Sequence, residues 1–135
     1  MPAKPKKPVA AWRPKFAAVV PWFVAAFFIG LLIQVFLAGY GLAEVGGEGM
    51  DGHLAFAHVI EIFPLLILIF GFIGADMRAG WTGLALLAMF QLQYAFIGMD
   101  DAIVRALHPT NGVLMVLLAG WLLMRRLPWT KPVAA

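Results

Sequence analysis

Four apolar stretches, each about as long as a bilayer-crossing helix, constrain this chain more than any other feature. A hydrocarbon layer of about 30 Å takes roughly 20 helical residues at about 1.5 Å each. Residues 16–40, 53–75, 81–99 and 108–124 meet that requirement, and the segments between them (41–52, 76–80 and 100–107) hold most of the acids. Composition points the same way. Of 135 residues, 63% are hydrophobic and 13% charged, with a mean hydropathy of +0.90. A soluble domain runs at roughly 45–50% apolar and about 25% charged, and a core of this size could not bury the excess. Barrel strands are excluded because they are about 9–11 residues long and alternate, whereas these stretches are longer and do not. The expected fold is all-α: a four-helix transmembrane bundle, up-down-up-down, in one domain. A basic, Pro-rich tail at 1–15 precedes it and a short tail at 127–135 follows it.

Charge placement predicts the orientation. Lys4, Lys6, Lys7, Arg13 and Lys15 precede span one, Arg78 lies between spans two and three, and Arg125, Arg126 and Lys131 follow span four. Four crossings put all of these on one side and leave only Arg105 opposite, together with Glu44, Glu48, Asp51, Asp100 and Asp101. Loops rich in Lys and Arg stay inside, so both termini are expected in the cytoplasm of a bacterial cell, with the chain multi-pass in its inner membrane. Trp22, Trp81 and Trp121 then fall near the inner interface, where tryptophan is enriched. Span one begins like a secretory signal but is too long for one and is followed by three more spans, so an uncleaved first helix is expected. The basic tail should be drawn to anionic lipid at about 1 kcal/mol per basic residue.

The formal charge of +3 does not form a nucleic-acid stripe, and the absence of cysteine removes disulfides, thiolate metal sites and a Cys nucleophile. No phosphate-binding loop, Ser triad or zinc signature is present, so neither nucleic-acid binding nor enzymatic catalysis is expected.

Polar groups inside spans are costly and mark function or helix pairing. Span one holds Gln34, span two His53, His58 and Glu61, span three Gln91 and Gln93, and span four His108 and Asn111. Counting from the inner tryptophans at ~1.5 Å per residue puts Gln34, His58, Gln93 and His108 at one level, ~18–20 Å from the inner belt, with His53 about a turn and a half higher. The two halves also echo each other. Gly49-Met50-Asp51 precedes His58 much as Gly98-Met99-Asp100 precedes His108, and each histidine is followed three residues later by a polar group, Glu61 or Asn111. Both patterns pair His58 with His108. His108 before Pro109 also reads as a helix start, with proline in the first turn.

His108-Pro109-Thr110-Asn111-Gly112 resembles the His-Pro-x-Asn-Gly signature of small, functionally uncharacterised bacterial four-helix membrane proteins. Gln34 late in span one and Asp51-Gly52-His53 opening span two are similar to that group's other motifs. The resemblance runs from about Gln34 to Arg126. It implies the same four-span fold and, through its Asp-x-His pattern, raises His53 as a competitor to His58.

Three functions fit these residues. A small accessory or scaffold subunit of a larger membrane complex, electron-transferring or photosynthetic, would use the polar layer to fix helix register and would contact lipid and other membrane subunits. A membrane electron carrier would hold haem b between His58, or its competitor His53, and His108, with Glu61 and Asn111, or Gln34 and Gln93, bonding the free imidazole nitrogens or the propionates, and would exchange electrons with a quinone. A proton- or ion-handling protein would use Glu61 beside His58 and Pro64. A metal site at the outer rim would draw on His53, Asp51, Asp100 and Asp101.

Overall fold

The structure is a computed structural model and describes residues 10–44 and 50–126. Lys4, Lys6, Lys7, Glu48 and Lys131, most of the basic tail and the 127–135 tail lie outside the described residues. Five helices make four spans: α1 (Arg13–Ala43), α2 (Met50–Ile60) with α3 (Ile62–Ile73), α4 (Met77–Ile97) and α5 (Ala102–Met124). All four spans are long and apolar enough to cross a membrane, α2 and α3 counting together as one span of 24 residues. Among the described residues there are no strands.

The break between α2 and α3 has a chemical cause. Pro64 has no N–H to return to the Ile60 carbonyl, and the helix pattern lapses at Glu61, whose own N–H still reaches the Ala57 carbonyl at 3.0 Å. The α3–α4 turn closes as a Schellman motif. Asp76 N–H bonds the Gly71 carbonyl at 2.8 Å and Ala75 N–H bonds that of Phe72 at 3.1 Å. Ala75 takes the left-handed conformation the motif needs, at φ 60°. Asp76 then caps α4 by accepting from Ala79 N–H at 3.1 Å.

The fourth span starts earlier than expected. Asp101 caps α5 by accepting from the N–H groups of Ile103 and Val104 at 2.8 and 3.0 Å. The helix opens at Ala102, so His108 and Pro109 lie well inside it rather than at its first turn. Proline is tolerated there because membrane helices adjust locally around it. Thr110 Oγ1 donates to the Ala106 carbonyl beside the gap, at 3.2 Å.

Around the bundle α1 packs on α2, α3 and α5, and α4 packs on α3 and α5, so spans two and four stand on opposite corners. Buried residues recur at intervals of three and four, the period of one helix face. They are Val20, Val24, Phe27 and Leu31 on α1; Ala57, Ile60, Pro64, Ile67 and Gly71 on span two; Ala79, Gly83, Leu86 and Phe90 on α4; and Met115, Ala119 and Leu122 on α5. The outward faces carry Ile29, Leu32, Val35, Val59, Leu92 and Leu117, all exposed, as a lipid-facing surface requires. Spans two and three approach almost backbone to backbone: a Cβ at Gly83 would lie 2.7 Å from Leu68 Cα, and one at Gly71 would lie 2.8 Å from Gly80 Cα. Small residues that admit such contact are the usual adhesive between membrane helices.

Candidate functional site

At the end of the bundle away from the α3–α4 turn, each core stripe ends on one polar residue. Gln34 follows Leu31 by three positions, His53 precedes Ala57 by four, Gln93 follows Phe90 by three, and His108 precedes Asn111 by three. Helical spacing turns all four toward the interior, and they meet there. His53 Nδ1 lies 3.2 Å from the backbone carbonyl oxygen of Gln34, and His108 Nδ1 lies 3.1 Å from that of Gln93. The two imidazole rings are 6.2 Å apart between centroids and inclined at 64°. The contact is repeated in the two halves: the histidine of an even-numbered span is pinned to a glutamine backbone of the preceding one.

This pinning decides which ring nitrogen is free. A carbonyl oxygen only accepts, so Nδ1 of each ring must carry the proton and donate. In the neutral ring Nε2 is then left with its lone pair. Metal-ligating histidines are commonly held this way, through a hydrogen bond from the other nitrogen that fixes tautomer and orientation. Around the rings the layer is polar but incompletely paired. Gln34 is buried, and Oε1 of both Gln34 and Gln93 is shut away from solvent without a hydrogen-bond partner. Gly112 leaves room for Gln93, since a Cβ there would come within 3.2 Å of its Nε2. Asn111 is already committed, with Nδ2 donating to the Met89 carbonyl at 2.7 Å, which ties α5 to α4.

His58 does not join this layer. Its side chain is 60% exposed on the outer face of span two, so the expected His58–His108 pair is corrected to His53–His108. The reason is angular. Five residues separate His53 from His58, about 140° around a helix, so only one can share the face of Ala57 and Ile60. The difference in height is met by the backbone carbonyl of Gln34, which points along α1 toward its C-terminal end and so toward the higher of the two histidines. Glu61 is also outside the layer. With His58 it contacts Tyr94, a residue that the polar pattern of the spans did not single out. Tyr94 Oη donates to Glu61 Oε2 at 2.9 Å and lies 3.2 Å from His58 Nδ1, and its ring stacks on His58 at 17°. A hydroxyl beside Gln93 inside an apolar span was the available signal for it. Gln91 is exposed.

The rim metal site does not assemble: among the described residues no group of three or more His, Cys, Asp or Glu is placed to hold a metal ion. Asp101 caps α5, and Arg105 donates to the Asp100 carbonyl at 3.0 Å.

At the opposite end, where α1 begins and α5 finishes, Arg126 pairs with Asp76. Burial alone would raise the Asp76 carboxyl, but the Arg126 hydrogen bond, the Ala79 N–H and the nearby Arg126 and Arg78 charges outweigh it and hold the group below the usual carboxylate range.

Comparison with known protein families, curated proteins and solved structures gives no match.

Proposed function

We propose that this chain is a small accessory subunit of an electron-transfer assembly in a bacterial inner membrane, with both termini cytoplasmic, and that His53 and His108 hold a b-type haem between spans two and four. The observation that carries this reading is the facing imidazole pair, each ring fixed by its Nδ1 on a backbone carbonyl. His53 and His108 would hold the haem iron through the Nε2 nitrogens that the two carbonyl bonds leave free. Their ring centres lie 6.2 Å apart across the interior of the bundle. Histidines on facing helices are a common way of building a cofactor site in a four-helix bundle, and imidazole is a haem iron ligand.

In this reading the Gln34 and Gln93 carbonyls orient the ligands and raise their basicity, and the buried glutamine amides supply polar groups beside the bound cofactor. A haem bound there supplies one-electron redox chemistry, for which a lipid-soluble quinone is a chemically suitable exchange partner. The orientation is supported by charge: Arg13, Lys15, Arg78, Arg125 and Arg126 share one end, while Glu44, Asp51, Asp100 and Asp101 share the other.

Absorption of the purified protein, expressed with ample haem, tests the reading. A Soret band and a reduced α-band are expected in the wild type and in His58→Ala, and both should be lost in His53→Ala and His108→Ala. A colourless wild type overturns the haem assignment. It would favour the second reading, a scaffold subunit in which the same two histidine–carbonyl bonds lock the α1–α2 and α4–α5 hairpins in register, each worth ~0.6–2 kcal/mol. Co-purifying membrane subunits would then identify the assembly.

A further inference from the structure

The basic end of the bundle carries a second site, independent of the histidine layer. An open surface cleft of about 510 Å³ lies there, lined by Asp76, Arg78, Arg125 and Arg126. Three guanidiniums face one carboxylate, and that carboxylate is engaged by Arg126. The cleft therefore keeps a surplus of two positive charges, three arginines less one aspartate. Arg78 and Arg125 both lie against the same indole, their guanidinium carbons 5.9 and 5.3 Å from the Trp121 ring centre. Neither forms an ion pair with a carboxylate among the described residues.

The fold builds this cleft from two distant segments: the α3–α4 turn with the first turn of α4, and the end of α5. Asp76 draws Arg126 inward across 50 residues of sequence, while its neighbour Arg125 lies against the Trp121 ring. Trp121 is 41% exposed, as a tryptophan at headgroup depth should be, and its ring lies within reach of two cations. Guanidiniums donate in a planar fork that matches phosphate oxygens. Two of them over an indole at the membrane surface make a receptor for a phosphodiester whose alkyl tails run down the neighbouring apolar helix face.

We infer that Arg78, Arg125 and Trp121 form a binding site for the phosphodiester headgroup of an anionic phospholipid. The surplus positive charge selects against choline headgroups, whose quaternary ammonium is repelled. Basic pockets between membrane helices on the cytoplasmic side are a known form of headgroup recognition. Asp76 engages Arg126 and so leaves Arg78 and Arg125 as the cations against the indole. The bound lipid would hold the α3–α4 turn to the end of α5.

Full-length protein in neutral detergent tests this, with lipid binding followed by thermal unfolding and by retained lipid per chain in mass spectrometry. Phosphatidylglycerol is expected to raise the midpoint and to be retained, while phosphatidylcholine at the same mole fraction is not. Each basic residue at an anionic surface is worth about fivefold in affinity, so Arg78→Gln with Arg125→Gln should weaken phosphatidylglycerol binding about 25-fold. Lys15→Gln, on the exposed start of α1, should change it little. Arg78→Lys with Arg125→Lys keeps the charge, guards against a variant that merely misfolds, and should retain much of the binding. Equal binding of the two lipids, or undiminished binding by the double Gln variant, overturns the inference. Inorganic phosphate reproducing the whole stabilisation would assign the site to free phosphate and overturn the lipid assignment.

Discussion

Replacing Gly83 with alanine tests whether the bundle is held by backbone contact between spans two and three. The added Cβ would sit 2.7 Å from Leu68 Cα and 2.9 Å from the Ile67 carbonyl carbon. Non-bonded carbons are comfortable at about 3.5–4.0 Å. The neighbours here are main chain on both sides, so the two helices must part. A gap of about 0.5–1 Å then forfeits a quarter to a half of each contact's attraction along the interface. Overpacking of this kind costs about 1–3 kcal/mol, while alanine returns about 1 kcal/mol of helix propensity over glycine. Main-chain neighbours cannot rotate away, so the cost falls in the upper half of that range and the net expectation is a loss of about 1–2 kcal/mol. Gly39 provides the control, because nothing lies within 4 Å of a Cβ placed there. Gly39→Ala should leave only the propensity gain, stabilising by about 0.5–1 kcal/mol. Unfolding in mixed micelles with rising SDS, followed by far-UV circular dichroism, measures both. The reasoning fails if Gly83→Ala is as stable as the wild type, or if the two variants shift together.

Other positions give sharp outcomes in the same assay. Ala75 occupies a left-handed position at φ 60°, so Ala75→Gly should stabilise the α3–α4 turn by about 0.5–1 kcal/mol, the relief of its steric penalty less the added entropy of the unfolded chain. Asp76 has a lowered pKa, so its contribution is complete above the ordinary carboxyl value of about 4 and is lost as pH falls through the lower folded value. Asp76→Asn should cost about 1 kcal/mol at neutral pH and flatten that acid limb in a stability–pH profile. Asn111→Ala removes the donor to the Met89 carbonyl and should cost about 1–2 kcal/mol. Gln91→Ala, at an exposed position on α4, should change the SDS titration little by comparison.

Much of the fold was legible because membrane crossing is written in length and apolarity. The four spans and the corner arrangement of spans two and four follow from that. The inner layer was legible in part. Counting depth groups Gln34, Gln93 and His108, and the structure gathers them. Depth alone favours His58 over His53, whereas angle favours His53. The buried series Ala57, Ile60, Pro64, Ile67 and Gly71 runs back to His53 at the same three-and-four spacing, so the correct face was present in the sequence. Which side of that helix points inward is decided by the partner helices, and no local pattern states it.

Other features depend on contacts that local sequence does not encode. Gly71, Gly80 and Gly83 look like ordinary small residues until two backbones meet over them. Asp76 and Arg126 are 50 residues apart, and their pairing rests on the turn after α3 reaching the end of α5. Pro109 suggests a helix start, yet Asp101 captures the free N–H groups a turn and more earlier, and a bundled membrane helix accommodates the proline behind it.

The central claim is that His53 and His108, and not His58, form one ligand pair. Electron paramagnetic resonance of the oxidised, haem-supplied protein tests it most directly. The account predicts a low-spin ferric signal in the wild type and in His58→Ala, lost together with the bound haem in His53→Ala and in His108→Ala. A wild type without haem iron, or a low-spin signal that survives His53→Ala and disappears in His58→Ala, would contradict it.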